Sequence, residues 1–177
     1  MKKTYTFILL LFISLMLVGC GGHRPSITLR VLDEQTKEPI EGAYGIAWWY
    51  DVHGLPGLTH HELGELVEMV SDKEGNLKIP PLSCKTKPHI KVFKPGYVGW
   101  YNFEIYKGYY GNDRTWARVI KGKGFEYISQ DIYLERWKNE YSHDSHFSFL
   151  NNMIPTGIGY NLQFSEAMQN YLLPFMK

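Results

Sequence analysis

Two short stretches bring side chains with catalytic or metal-binding chemistry close together in the sequence. His60-His61-Glu62-Leu63-Gly64-Glu65 approaches the pattern H-E-x-x-H, in which two histidines one helical turn apart bind zinc and the glutamate activates water; here Glu65 occupies the place of the second histidine. Gly57 and Gly64 flank the stretch and weaken any helix, so a solvated loop is the favoured reading. Tyr141-Ser142-His143-Asp144-Ser145-His146 offers two imidazoles three residues apart with a carboxylate between them. On a helix His143 and His146 could share a ligand, with His60 or His61 completing the set in space; as a turn, Asp144 and the serines merely satisfy backbone groups. The residue types of a Ser-His-Asp triad occur here too, but without a G-x-S-x-G nucleophile elbow, and Gly122-Lys123-Gly124 lacks the flanking pattern of a phosphate loop. No catalytic residue and no cofactor is expected on these grounds.

The chain is unusual in its aromatic content, with 5 Trp, 13 Tyr and 9 Phe among 177 residues. Trp48-Trp49-Tyr50, Trp100-Tyr101 and Trp116 exceed what the inward positions of a small sandwich require. Adjacent strand residues face opposite sides, so at least one of Trp48 and Trp49 must leave the sandwich core. Cover by another part of the chain is favoured over an open platform, because soluble domains expose few large apolar patches. Trp48, Trp49, Trp100 and Trp116 remain the candidates for a sugar-stacking or protein-contact surface.

Composition narrows the function classes. With 44% hydrophobic and 21% charged residues and a formal net charge of +1, the chain suits one globular domain and lacks the basic field of a nucleic-acid binder. Two cysteines cannot make a disulfide scaffold. Lys2 and Lys3 precede an apolar run, Phe7 to Val18, whose 12 residues fall short of the about 20 that span a bilayer as a helix. The run ends in Leu17-Val18-Gly19-Cys20, which resembles the lipobox of bacterial lipoproteins.

That resemblance implies a signal peptide over 1–19, cleavage before Cys20 and acylation of its thiol, palmitate included, with more than one chain to hold the protein at a membrane. Gly21 follows the cysteine where inner-membrane retention commonly uses Asp, so the resemblance favours the outer membrane, facing the periplasm. Residues 20–25 then form a tether whose five residues after the cysteine span at most roughly 17 Å. Cys84, left without a partner, is a buried small hydrophobe or a free thiol.

The elements that must position these residues read mainly as strands. Ile27, Leu29 and Val31 alternate with Thr28 and Arg30, the period of a half-buried strand. Asp33 to Pro39 turns, Ala43 to Tyr50 forms an aromatic strand, and Asp51 to Gly64 reads as a loop. Leu66 to Ser71 and Leu77 to Ile79, joined by Asp72-Lys73-Glu74-Gly75-Asn76, suggest a hairpin. His89 to Lys94, Val98 to Ile105 and Phe125 to Leu134 follow as strands, with Tyr106 to Gly124 a glycine-rich excursion. Near the C-terminus Phe164, Ala167, Met168, Tyr171, Leu172 and Phe175 fall at helical spacing, with Ser165 placed to cap and Pro174 to stop. This predicts one amphipathic helix packed on the sandwich.

Three segments in order, Ile27 to Ala43, Ser71 to Pro80 and Ile90 to Tyr97, resemble the carboxypeptidase regulatory-like domain, a transthyretin-like (prealbumin-like) sandwich of about seven strands. The likeness covers Ser26 to about Trp100 and the strand Asp131 to Leu134. It departs at Gly45 and the paired tryptophans, where strand pairing is expected to bulge, and none of the seven histidines heads the H-x-x-E pair of metallocarboxypeptidases. The expectation is an all-β fold, a seven-stranded antiparallel prealbumin-like sandwich over 26–136 with insertions at 51–64 and 106–124, and a C-terminal extension over 137–177. The resemblance implies a non-enzymatic scaffold or protein-binding module of the cell envelope. Glycan binding through exposed aromatics is the first alternative and metal-dependent hydrolysis through the histidines the second.

Overall fold

A computed structural model of the chain describes residues 26–80, 87–106, 120–121, 129–152, 154 and 162–175. Cys20, Cys84, Trp116 and most of the 106–124 excursion lie outside the described residues. The fold is mostly β, with two facing sheets of seven strands in all and two short helices. The first sheet has the order β4-β1-β9, from β1 (Ile27–Asp33), β4 (Asn76–Ile79) and β9 (Gln130–Leu134). The second has the order β3-β2-β5-β6, from β2 (Tyr44–Leu55), β3 (Leu58–Val70), β5 (His89–Phe93) and β6 (Trp100–Tyr101). A separate small pair joins β7 (Glu104–Ile105) to β8 (Ile120–Lys121).

Alternation of side chains builds the core between the sheets. Ile27, Leu29, Val31, Leu77, Ile79, Ile132 and Leu134 from the first sheet meet Ala47, Trp49, Ile90 and Val92 from the second. Aliphatic residues on period two are what a buried sheet face demands, and their removal from water drives the two sheets together. One end of this sandwich is tied by polar turns. Asp33 accepts the N–H groups of Gln35 and Thr36, the Tyr97 hydroxyl at 3.0 Å and the Arg136 guanidinium at 2.6 Å. The Thr36 N–H is the largest influence holding its carboxyl well below the usual carboxylate range, with Arg136 adding to it and burial opposing. Ser71 accepts the Ala43 N–H and donates to the Ile40 carbonyl, each at 2.7 Å. A Cβ on Gly75, whose φ is +79°, would come within 2.5 Å of the Val31 carbonyl, so this turn must be glycine to lie against β1.

Several expectations are corrected. The 51–64 segment is no loop: β2 and β3 run on as a two-stranded arm whose pairing extends from Tyr50↔Leu63 to Leu55↔Leu58. Pro56 and Gly57, the latter at φ +89°, make its turn, and the alternation of apolar residues was hidden because the arm is exposed on both faces. The expected hairpin of 66–79 is instead a crossing between sheets, since β4 pairs with β1 and not with β3. The sandwich is not wholly antiparallel, for β9 runs parallel to β1. The expected bulge in this strand is present at the paired tryptophans, where Gly64 and Glu65 together oppose Trp49, while Gly45 pairs regularly with Met69 and Val92. Val98 to Ile105 yields only β6 and β7, separated by Asn102 and Phe103. The C-terminal extension holds two helices, α1 (His143–Asn151) and α2 (Gln163–Leu172), with a 3-10 turn over Leu173–Phe175 that contains Pro174. Ser142 caps α1 through the Ser145 N–H. Ser165 does not cap α2; the Glu68 carboxylate of β3 accepts the Gln163 and Phe164 N–H groups instead, at 3.1 and 2.8 Å.

The extension covers the outer face of the second sheet. Ile46, Trp48, Phe93 and Tyr101 from the sheet pack with Phe149 and Leu150 of α1 and Phe164, Met168 and Leu172 of α2. The first half of β2 and β5 are thereby buried on both faces of the sheet.

Candidate functional site

Beneath the extension lies a layer of aromatic rings and nitrogen groups. Trp48 stacks on His89 with ring centroids 5.0 Å apart, and His89 Nδ1 lies 2.7 Å from the Tyr101 hydroxyl. Lys91, facing outward from β5 beside these rings, is wholly buried. Its ammonium donates to the carbonyls of Phe149 at 3.0 Å, Leu150 at 2.8 Å and Asn152, the last turn of α1 and the residue after it. The Tyr101 ring centroid is 4.8 Å from Nζ. Burial pulls this lysine down to about 7 and nearby Glu104 opposes the pull. The unpaired carbonyls and negative dipole end of α1 also favour the charged form, which makes Lys91 a C-terminal cap supplied from another element.

His146 is buried on the inward side of α1. Its Nε2 accepts the Gly99 N–H at 2.8 Å, so in the neutral ring the proton sits on Nδ1, which has no hydrogen-bond partner among the described residues. Burial, with neighbouring His143, pushes its pKa down to about 3. A Cβ on Gly99 would lie 2.4 Å from Leu150 Cδ2, so glycine there permits the close approach that this hydrogen bond needs. His143 lies between Trp137 and Phe175, with centroids 4.4 and 4.3 Å away, and burial lowers its pKa. The helix reading of the 141–146 segment is the one the structure takes, yet the two imidazoles serve packing. His60 and His61 stand on the exposed β2–β3 arm, where His60 and His53 both approach Glu62, at 3.2 and 3.8 Å. Among the described residues no three His, Cys, Asp or Glu side chains are grouped to hold a metal ion.

The aromatic candidates separate in the same way. Trp48 is 0% exposed and Trp49 3%, one on each face of β2, so neither contributes to an open platform. Trp100 is different. It is half-buried and lines a cleft of about 170 Å³ together with Glu34, Val98, Gly99, Glu104, Tyr106, Tyr133 and Glu135. Three carboxylates and three aromatic rings thus share one concavity, built from the turn after β1, the β5–β7 region and the β9 exit. The chain's own lysines already use this chemistry at its edge: Lys37 lies 4.4 Å above the Tyr133 ring, and Lys138 pairs with Glu135. Tyr106 anchors the floor by donating to the Ser142 carbonyl at 3.0 Å, and burial raises its hydroxyl above the ordinary tyrosine range. Sequence reasoning found Trp100 but missed the carboxylates, because Glu34, Glu104 and Glu135 lie far apart in the chain and each alone resembles a solvated side chain.

No protein-family model matches the chain, and no curated protein matches it closely enough to show a relationship.

Proposed function

We propose that this is a lipid-anchored, non-enzymatic binding module of the bacterial cell envelope, and that the cleft at Trp100 takes a cationic side chain of a partner protein. Acylation of Cys20, an outer-membrane address facing the periplasm and a prealbumin-like, carboxypeptidase regulatory-like topology belong to the same reading. The lipobox-like Leu17-Val18-Gly19-Cys20 supports the anchor, and the meeting of the Asp33, Gly75 and Tyr97 turns at one end of the sandwich supports the topology.

The observation that carries the binding role is the cleft itself. A volume of about 170 Å³ is below the roughly 300–1,000 Å³ of sites that enclose a whole small ligand, and it matches one long side chain. Carboxylates beside aromatic faces attract a guanidinium or ammonium through charge and the ring quadrupole together. A photo-crosslinking amino acid at Tyr133, in the anchored full-length protein within its own envelope, provides the test. Discrete protein adducts that vanish on combining Glu34→Gln with Glu104→Gln are expected. Recovery of lipid and random neighbours alone would end this reading.

A glycan is the second reading, since Trp100 and the 44%-exposed Tyr133 offer ring faces beside hydrogen-bonding carboxylates. Titration with envelope polysaccharide should then quench tryptophan fluorescence, whereas a flat titration removes the idea.

A further inference from the structure

The β2–β3 arm points toward the end of the sandwich from which the tether departs. β1 runs from Ile27 to Asp33, and the chain turns back so that β2 starts beside the end of β1: Ile40 donates to the Val31 carbonyl and Gly42 to that of Ser71. A Cβ on Gly45 would lie 3.2 Å from Leu77 of β4, whose partner in β1 is Leu29, so β2 faces the middle of the β1–β4 pair and from there runs toward its Ile27–Ile79 end. Beyond Trp48, the last residue of β2 paired with β5, the strand pairs with β3 alone. The six residues Tyr50 to Leu55 carry the arm about 20 Å at about 3.4 Å per residue.

The tip has a distinct surface. Leu55 and Leu58 are 71% and 79% exposed, the highest values among the exposed large apolar side chains of the described residues, and Val52 behind them is 47% exposed. Leu55-Pro56-Gly57-Leu58 carries no charge, whereas Asp51, His53, His60, His61 and Glu62 follow immediately along the arm. The turn is tight: a Cβ on Gly54, whose φ is +108°, would sit 2.2 Å from the Leu58 carbonyl oxygen, so only glycine lets the strands close here, and Pro56 fixes its own φ. An uncharged, leucine-tipped projection with a polar collar behind it is suited to the boundary between headgroups and acyl chains, where apolar groups bury while polar ones stay wet.

We propose that this tip is a second membrane contact, resting on the bilayer that holds the acylated Cys20. The proposal depends on the lipid anchor of the preceding reading. Its occupant is lipid because of the length of chain available: residues 21–25 reach at most roughly 17 Å, close to the arm's own extension, and start from the same end of the sandwich. An anchor that short holds the tip near the bilayer, and contact at two points would fix the tilt of the domain and hence the direction of the Trp100 cleft.

The test uses the full chain with Cys84→Ser, processed in bacterial membranes and reconstituted in phosphatidylethanolamine–phosphatidylglycerol vesicles. An environment-sensitive dye is attached at Leu58→Cys and, in a control, at Lys73→Cys in the turn at the other end of the sandwich. Palmitate labelling of Cys20 is read on the same samples. Incorporated palmitate, with strong quenching by nitroxide lipids at position 58 and little at 73, is the expected result. Palmitate without quenching at 58 overturns the tip contact and leaves the anchor standing, as does a dye shielded from water but untouched by nitroxide lipids, which would mean a protein occupant. Absence of palmitate overturns both. Leu55→Asp combined with Leu58→Asp, which alters only exposed side chains, should abolish shielding of a dye at His61→Cys and leave palmitate incorporation unchanged.

Discussion

The two faces of the β3-β2-β5-β6 sheet alternate along the same strands yet carry different chemistry. Toward the first sheet, Gly45, Ala47, Ile90 and Val92 present small or aliphatic surfaces with Trp49 the one large ring among them; toward the helices, Ile46, Trp48, His89, Lys91 and Phe93 present mostly rings and nitrogen. The inner face meets another sheet, whose pleat accepts interdigitated, mainly aliphatic side chains. The outer face meets helix ends, and helix ends bring unpaired carbonyls and N–H groups that need partners. Lys91 and Glu68 are the answers to that need. The extension is thus fastened by polar contacts beneath its helices as well as by burial, whereas between the two sheets burial fills the middle and the polar contacts of Asp33, Tyr97 and Ser71 are confined to one end.

Deletion of large side chains tests this first. Trp48→Ala should destabilise by about 3–5 kcal/mol and Leu77→Ala by about 2–5 kcal/mol, measured by chemical denaturation. If the faces differ as described, Trp48→Ala also lowers the near-ultraviolet circular dichroism of the aromatic layer while far-ultraviolet strand signal persists. Loss of both signals together would make the two layers one cooperative unit.

Lys91→Met sharpens the same point with a change of nearly equal size. Three carbonyls at the end of α1 lose their donor, at a cost of about 2 kcal/mol. Amide hydrogens of α1 should exchange faster while those of β1 and β4 keep their protection; uniform acceleration would contradict a local capping role.

Acid gives the smallest effect near neutrality. His146 has a folded pKa of about 3 against an ordinary 6.5, so the unfolded chain binds more protons between those values. Stability from this group is complete above 6.5 and falls as pH drops toward 3, losing about 1 kcal/mol between pH 6.5 and 5.5. His146→Gln, which can still accept the Gly99 N–H, should flatten this slope in denaturation curves taken across that range. An unchanged slope would assign the acid sensitivity elsewhere.

What could be read in advance followed the range of the interactions. Alternation in Ile27–Asp33, His89–Phe93 and Gln130–Leu134 is local, as is the turn chemistry of Asp72 and Gly75, and those elements stand where their residues indicated. The prediction of a C-terminal helix lying on the sandwich also rested on spacing within one segment, and α2 fulfils it. The arm was misread because its turn residues and exposed histidines look like loop composition, whereas its pairing is continuous from Tyr44 to Leu55 apart from one bulge. In the candidate site only Trp100 drew notice, since a glutamate's role depends on which other carboxylates come near it in space.

The amino-acid sequence by itself determined the strand period, the polar turns, the surplus of aromatic residues and the lipobox-like pattern Leu17-Val18-Gly19-Cys20, all of them properties of neighbours along the chain. Only the tertiary structure decided that β4 crosses to β1, that β9 lies parallel to it, that Trp48 and Trp49 serve two different cores, and that Lys91 caps a helix 58 residues away. The physical reason is that strand pairing and helix capping satisfy hydrogen-bonding groups common to every residue, so the choice of partner is made by which apolar faces can be buried together and not by any local signal.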